Sequence, residues 1–241
     1  MLKRNLPNLI TLGNLALGCY GILLVLSGRP ELAPWCIVLA GLLDFLDGAT
    51  ARLLNAYSAI GKDLDSLADV VSFGVLPGFI ARELLLNAIS EQTYWGPDDM
   101  LPRILEALTL LIPLLSAWRL ARFNNDPGQT ENFIGLPTPA HAFFWAGLSV
   151  GIYQGSLELL NQVWLLALLI VLMPLLLVAP LPMFSLKLKH LKWQGNQVRY
   201  IFLLICLPLL FFLQLAGLCP VILLYLLLSG LVLVFSKQTS G

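Results

Sequence analysis

The stretch from Asp44 to Asp69, DFLDGATARLLNAYSAIGKDLDSLAD, carries five carboxylates within sequence that otherwise reads as membrane-buried. A charged side chain inside a bilayer is costly, so it usually faces an internal cavity and is paired with a cation. Four of the five carboxylates recur at helical spacing. The stretch therefore predicts a functional site that binds a cation.

The composition of the whole chain is that of a membrane protein. Of 241 residues, 58% are hydrophobic and 12% are charged, and the mean hydropathy is +0.84. Several apolar runs approach the roughly 20 residues that a helix needs to cross a bilayer. The 14 basic residues balance the 14 acidic ones, so no basic field favours nucleic acid as a partner. We predict an all-α integral membrane protein whose partner is the lipid bilayer.

Apolar runs bounded by polar residues, proline or glycine predict eight transmembrane spans. They cover residues 8–27, 32–54, 62–89, 103–123, 138–157, 162–183, 200–217 and 219–236. With this count, all lysines and arginines except Arg29, Arg82 and Arg103 fall on one side of the membrane. Because short cytoplasmic loops are enriched in basic residues, both termini and the 44–69 stretch are predicted to face the cytoplasm, in a multi-pass protein of the cell (inner) membrane.

The carboxylates and small residues of the stretch fall on two helix faces. On a helix that advances 100° per residue, four positions lie within about 100° of arc: Asp44, Asp47, Gly48 and Ala51. Four positions of the next span share a second stripe, at i, i+4, i+8 and i+11: Gly61, Asp65, Asp69 and Ser72. Asp63 lies off this stripe. Two antiparallel helices can then present two carboxylates each to a shared cavity.

Carboxylate oxygens without histidine or cysteine favour Mg²⁺ or Mn²⁺ over zinc. The stretch contains neither histidine nor cysteine. Two divalent ions about 4 Å apart would explain four acids in one place. The residue types therefore predict a divalent metal site, with two ions bound by Asp44, Asp47, Asp65 and Asp69.

The small residues of the two faces indicate room for a ligand. Gly48, Ala51 and Gly61 have almost no side chain, so a bulky ligand could approach the backbone closely. Arg52 follows Gly48 at i+4, where its planar guanidinium could bind phosphate oxygens. Metal-binding carboxylates, open space and an arginine together indicate a nucleotide-diphosphate ligand.

The acids allow two other interpretations. The acids could pair with Arg52 and Lys62 and stabilise a helical turn, but two cations cannot neutralise five carboxylates. Intramembrane carboxylates also mark cation transporters. These acids, however, gather near the ends of two spans, whereas transport sites tend to lie at the midplane.

The motif D-x2-D-G-x2-A-R-x8-G-x3-D-x3-D runs without a departure from Asp44 to Asp69. It resembles the signature of the CDP-alcohol phosphotransferases, which are integral membrane enzymes of phospholipid synthesis. The resemblance implies a single membrane-embedded transferase domain over 1–241. Its six-helix catalytic core would cover 1–183, and 184–241 would add a basic loop and two C-terminal spans. The resemblance also implies a homodimer.

The resemblance further implies roles for the motif residues. Asp44, Asp47 and Asp65 would hold the metal ions, and Asp69 would be the general base that also touches a metal. The CDP group would be bound by Asp44, Gly48, Ala51, Arg52 and Gly61. An acceptor hydroxyl would attack the β-phosphorus of a CDP-linked lipid, and CMP would leave.

Two later segments bear on the acceptor alcohol. Together with Pro7-Asn-Leu-Ile-Thr11, the segments RLARFN from Arg119 and FIGLPTPA from Phe133 resemble the phosphatidylserine synthases of the family. Arg119 and Arg122 lie at i and i+3 on one helix face, where they could bind the carboxylate of L-serine. The two arginines could instead anchor a helix end at the cytoplasmic interface, and glycerol 3-phosphate and inositol are alternative acceptors. With serine, the substrates would be CDP-diacylglycerol and L-serine.

Polar residues also begin the first span. Asn8, Thr11 and Asn14 lie near one helix face. They could hydrogen-bond the nucleotide or a metal ligand, or satisfy the buried start of the helix. Asn8 and Thr11 are assigned to the CDP site.

Overall fold

A computed structural model describes residues 2–56, 58–92, 95–96, 99–125, 134–183 and 196–238. Within these ranges, side chains are described from residue 5 to residue 233. The described chain is helical, apart from turns and one isolated β-bridge between Ile134 and Pro182. The predicted all-α class is confirmed.

Ten α-helices follow one another along the described chain. They are α1 Leu2–Leu26, α2 Ala33–Leu53, α3 Ala59–Val70, α4 Leu76–Ser90, α5 Met100–Leu108, α6 Leu111–Asn125, α7 Thr138–Tyr153, α8 Val163–Val178, α9 Gln197–Leu213 and α10 Leu218–Gln238. A π-helical turn, Val71–Val75, joins α3 to α4 without a break in the helix. A short 3-10 turn, Gln214–Gly217, joins α9 to α10.

Five helical segments of the described chain are long and apolar enough to cross a membrane. They are Asn5–Leu26, Pro30–Leu53, Ala59–Ser90, Met100–Asn125 and Gln197–Leu233. Helices α7 and α8 coincide with two further predicted spans but have 16 residues each. The chain is therefore a multi-pass membrane protein, and the count of eight spans stays a prediction.

The boundaries of two predicted elements differ in the structure. The predicted span 103–123 is divided at Thr109 and Leu110, which separate α5 from α6. The sequence from Asn124 to Pro139 is polar and rich in proline and glycine and predicts a cytoplasmic loop, but α6 continues through Asn125. Helix α6 therefore carries Arg119 in its second half and Arg122 in its last turn. The middle of that loop, 126–133, lies outside the described residues.

The outer surface of the bundle is apolar, as a lipid-facing surface must be. Phe45, Trp118 and Leu227 are each about two-thirds exposed. The largest fully buried side chains include Phe73, Phe144 and Trp145. Because two of these three belong to α7, which is buried over most of its length, α7 forms the centre of the bundle.

Helix α7 also holds the C-terminal helices against the bundle, through a close approach at Gly147. A Cβ added to Gly147 would lie 2.4 Å from the backbone nitrogen of Cys219 and 2.9 Å from Cβ of Leu218. At this point α7 meets the start of α10 almost backbone to backbone. A side chain larger than hydrogen would push the two helices apart.

Replacing Gly147 by valine is expected to destabilise the protein by about 1–3 kcal/mol, since overpacking at a rigid contact forces the backbone to shift. The midpoint of thermal unfolding in detergent should fall accordingly. Gly230→Ala in α10 is the matched control, because no atom lies within 4 Å of a Cβ at Gly230. An unchanged unfolding midpoint for Gly147→Val would contradict the close approach.

Candidate active site

Helix α2 presents the first half of the acidic motif along one face. Asp47 is buried, with 6% of its surface exposed, whereas Asp44, Gly48 and Ala51 are half-buried. Arg52 lies in the last turn of α2 and is exposed. No atom lies within 4 Å of a Cβ built on Gly48, so space is open above this glycine. This is the arrangement expected if a ligand approaches the α2 backbone at Gly48.

Helix α3 presents the second half of the motif. Ser58 is its N-cap, and the Ser58 hydroxyl accepts a hydrogen bond of 3.0 Å from the backbone nitrogen of Gly61. This cap fixes the first turn and with it the direction in which Gly61 and Asp65 face. Asp65 is half-buried and Asp69 is buried, one helical turn apart.

Helix α1 forms a third wall, so the site is not built from α2 and α3 alone. The Thr11 hydroxyl lies 2.7 Å from Oδ2 of Asp47 and 3.0 Å from the carbonyl oxygen of Pro7. A Cβ on Gly61 would lie 2.9 Å from Oδ1 of Asn8. Gly61 therefore allows α3 to approach α1, in addition to the room for a ligand that the sequence suggested.

Three of the four predicted metal ligands come together. One carboxylate oxygen from each of Asp44, Asp47 and Asp65 lies within 4.8 Å of the others. Oδ1 of Asp65 is buried without a hydrogen-bond partner, and no ion pair to the three carboxylates is found among the described residues. Three carboxylates left unpaired in a membrane protein would repel one another and be poorly solvated. A divalent cation, which prefers oxygen ligands, fits this donor set.

Asp69, the fourth predicted ligand, lies beside the triad and not within it. Its Oδ1 accepts a hydrogen bond of 3.3 Å from Nδ2 of Asn14. Asp69 is close enough to interact electrostatically with Asp44 and Asp65, and also with Arg119 of α6. Asp69 is thus near both the acidic triad and the arginine of α6.

The two predicted acceptor residues have different surroundings on α6. Arg119 is half-buried, and its Nη1 donates a hydrogen bond of 3.0 Å to the Thr138 hydroxyl at the start of α7. Nε of Arg119 is buried without a partner. Arg122 is exposed. The structure therefore places Arg119 next to the carboxylates and Arg122 at the surface.

The end of α6 is tied to α3 by two hydrogen bonds. Nζ of Lys62 donates to the carbonyl oxygen of Asn124 at 3.1 Å, and Nδ2 of Asn124 donates to the Ser66 hydroxyl at 2.7 Å. These contacts hold the helix that carries Arg119 and Arg122 against the helix that carries Asp65 and Asp69.

A cavity of about 290 Å³ opens between α1, α2 and α3. Its lining includes eight predicted site residues, namely Asn8, Thr11, Asp47, Gly48, Ala51, Arg52, Gly61 and Asp65. Its volume is at the lower end of the range for small-molecule sites. The other predicted site residues, Asp44, Asp69, Arg119 and Arg122, are not part of the lining.

The sequence patterns did not predict three contributors to the site, namely Ser58, Lys62 and Thr138. Lys62 and Ser58 line the cavity, and Thr138 holds Arg119. A serine just before a helical pattern is an N-cap signal that could have identified Ser58. Nothing in the local sequence pairs Thr138 with Arg119, because the two residues meet only in the folded bundle.

Comparison with known proteins identifies the family. A family model for the CDP-alcohol phosphatidyltransferases matches residues 4–177, which is most of the chain and includes all three walls of the cavity. The chain belongs to the CDP-alcohol phosphatidyltransferase family.

Several curated relatives share a large part of this sequence. The CDP-diacylglycerol–serine O-phosphatidyltransferase of Helicobacter pylori strain J99 is 39% identical over 138 residues, which cover 56% of this chain and 53% of that protein. The protein of the same name from Mycobacterium leprae is 32% identical over 185 residues, covering 74% of this chain and 57% of its own length. The archaetidylserine synthase of Methanothermobacter thermautotrophicus is 35% identical over 139 residues, covering 57% and 54%. The chain spans about half the length of these relatives.

Proposed function

We propose that this protein transfers the phosphatidyl group of CDP-diacylglycerol to the hydroxyl of L-serine, giving phosphatidylserine and CMP. The proximity of Asp69 to both the acidic triad and Arg119 is the observation that carries this proposal. In this position one carboxylate can reach both a donor lipid held at the triad and an acceptor held at the arginine. The names of the relatives support the choice of serine.

The cavity between α1, α2 and α3 is the proposed site for the CDP group. Open space above Gly48 would admit the nucleotide, and exposed Arg52 is free to meet phosphate oxygens. Asn8 lies where α1 comes close to Gly61 of α3, and its amide can hydrogen-bond the nucleotide there. Thr11, in contrast, has its hydroxyl directed at Asp47, so its contribution to nucleotide binding is through that carboxylate.

Asp44, Asp47 and Asp65 would hold Mg²⁺ or Mn²⁺, with Asp69 available as a ligand to a second ion. When bound, the metal would neutralise negative charge on the pyrophosphate of the donor. The hydrogen bond from Thr11 fixes the orientation of the Asp47 carboxylate, as outer hydrogen bonds commonly do for metal ligands.

Asp69 is the proposed general base. It would accept the proton of the serine hydroxyl while the serine oxygen forms a bond to the β-phosphorus of the donor. The bond between that phosphorus and the bridging pyrophosphate oxygen would break, and CMP would leave with the bridging oxygen. Arg119 would hold the serine carboxylate through paired hydrogen bonds, with its planar group already oriented by Thr138.

The site lies at the end of the bundle that also carries Arg52, Lys62 and Arg122. By the bias of basic residues, this end faces the cytoplasm, in the inner membrane.

The homodimer implied by the family resemblance is a second prediction. Chemical crosslinking of the protein in intact membranes would test the dimer, and labelling of single cysteines from each side would test the orientation.

An acceptor screen tests the proposed function. Purified protein in detergent with CDP-diacylglycerol and Mg²⁺ or Mn²⁺ should release CMP with L-serine and much less with glycerol 3-phosphate or inositol. Release of CMP with glycerol 3-phosphate or inositol instead of serine would agree with the proposed transfer reaction but show that serine is not the acceptor. Ion flux in proteoliposomes without CMP release under any condition would favour the transporter interpretation.

Arg119→Ala is expected to raise KM for serine by about 10- to 100-fold, as loss of a charged hydrogen bond to a carboxylate removes roughly 1.5–3 kcal/mol. KM for CDP-diacylglycerol should change by less than about threefold. Arg122→Ala is the matched comparison on the same helix, and its effect on KM for serine should be smaller because Arg122 is exposed. Equal increases in both KM values for Arg119→Ala would indicate a structural role for the arginine instead.

A further inference from the structure

Asn14 of α1 is a buried amide in contact with the proposed base. None of its surface is exposed, and its Nδ2 donates to Oδ1 of Asp69 at 3.3 Å. An ionised carboxylate can only accept hydrogen bonds, so the NH₂ group of Asn14 must be the part of the amide that faces Asp69. The contact joins α1 to α3 across the site.

A second hydrogen bond joins the backbone of Asn14 to the π-helical turn that follows α3. The Ser72 hydroxyl donates to the carbonyl oxygen of Asn14 at 3.0 Å. Four residues further along α1, a Cβ on Gly18 would lie 2.4 Å from the Ser72 hydroxyl oxygen and 2.9 Å from its Cα. Helix α1 therefore packs closely against the segment that follows Asp69.

The other end of the Asn14 amide is unsatisfied. Its Oδ1 is buried and has no hydrogen-bond partner. Burying an amide with one polar atom unpaired is unfavourable compared with an apolar side chain of the same size. Stability alone therefore does not account for an asparagine at this position. The hydrogen-bond donor that Asn14 directs at Asp69 accounts for it.

The contact also distinguishes the two oxygens of Asp69. Oδ1 is engaged by Asn14, whereas no hydrogen bond from a described residue reaches Oδ2. A carboxylate fixed through one oxygen has its other oxygen fixed in direction, because the group is planar and rigid.

We propose that Asn14 is a positioning residue, which holds Oδ1 of Asp69 so that Oδ2 is the oxygen presented to the acceptor hydroxyl. This inference rests on the proposed function, in which Asp69 is the base. Asn14 touches neither substrate and acts through Asp69. Its loss would allow the carboxylate to rotate away from the hydroxyl, while the triad and the nucleotide cavity keep their own contacts.

Asn14→Leu tests the proposal, since leucine has a similar volume and no donor. We expect kcat with serine to fall by about 10- to 100-fold, the scale for a misplaced catalytic group. KM for CDP-diacylglycerol and for serine should stay within about twofold, and so should the affinity for Mn²⁺ measured by calorimetry without substrates. Asn14→Asp, which keeps the shape but loses the donor, should show a loss of kcat at least as large.

Ser229→Ala is the control for loss of a buried polar side chain. It removes a buried hydrogen bond of 2.8 Å from the Ser229 hydroxyl to the carbonyl oxygen of Tyr225 in α10, and it touches neither Asn14 nor Asp69. Its kcat should be close to that of the wild type. If Asn14→Leu does not fold, as judged by size exclusion and thermal unfolding, Asn14→Ala replaces it with the same expected result.

A kcat within about threefold of the wild type for Asn14→Leu and Asn14→Asp would overturn the proposal. Parallel losses of Mn²⁺ affinity and of both KM values would also overturn it and assign Asn14 a structural role. Failure of the proposed function is a separate result, because wild-type protein would then release no CMP with serine. The Asn14 variants would in that case be compared with the acceptor that the screen identifies.

Discussion

Replacement of Asp69 by asparagine is expected to lower kcat for CMP release by about 10²- to 10⁴-fold, the range for loss of a general base. Asparagine keeps the shape of the side chain and one oxygen, but it cannot accept a proton from serine at neutral pH. The triad and the cavity do not depend on Asp69 for their contacts. Binding of CDP-diacylglycerol should therefore be largely retained.

Asp63→Asn provides the control for this experiment. Asp63 lies on α3 between Gly61 and Asp65 but is exposed and off the acidic stripe, so its loss of charge should leave turnover nearly unchanged. The measurement is CMP release under saturating substrates, together with donor binding by calorimetry. Near-wild-type turnover of Asp69→Asn would remove the general-base assignment.

Replacement of Asp47 by asparagine is expected to weaken Mn²⁺ binding by well over tenfold and to abolish measurable turnover. Asp47 is the buried member of the triad, and it contributes a charge as well as an oxygen. Even the loss of an outer hydrogen bond to a metal ligand commonly costs 10- to about 100-fold in affinity or activity. Loss of the ligand itself should cost more than Thr11→Val, which removes only the hydrogen bond to Asp47.

Metal binding can be followed by calorimetry or by the electron paramagnetic resonance of Mn²⁺. Treatment of the wild-type protein with EDTA should abolish CMP release, and addition of Mg²⁺ or Mn²⁺ should restore it. Glu91→Gln, at the opposite end of the bundle, is the control for loss of a carboxylate outside the site. Unchanged Mn²⁺ affinity in Asp47→Asn would show that the triad does not hold the metal.

The helical class and the two acidic faces could be predicted from the sequence because both follow from periodicity. Asp44 and Asp47 share a face of any regular helix, as do Asp65 and Asp69, whatever the rest of the fold does. The meeting of the two faces was a prediction about tertiary structure, and the triad confirms it for Asp44, Asp47 and Asp65.

The contacts of α1 and α7 with the site could not be predicted in the same way. Thr11 and Asn14 were recognised as polar residues in an apolar helix, but the sequence does not say which carboxylate each one meets. The pairing of Arg119 with Thr138 likewise depends on how α6 packs against α7. Such contacts between distant residues are set by packing, on which local patterns carry no information.

The π-helical turn Val71–Val75 has a consequence for how the long helical segment Ala59–Ser90 is used. A π turn accommodates one extra residue, and each residue of a helix corresponds to 100° of rotation. The half that carries Asp65 and Asp69 is therefore out of phase with the half that follows the turn. The carboxylates can face α1 while α4 presents its own apolar stripe to α7 and α8. One continuous helical segment thus has two independent residue patterns, a polar one that forms the site and an apolar one that packs the bundle. The spacing of residues in one pattern does not constrain the spacing in the other.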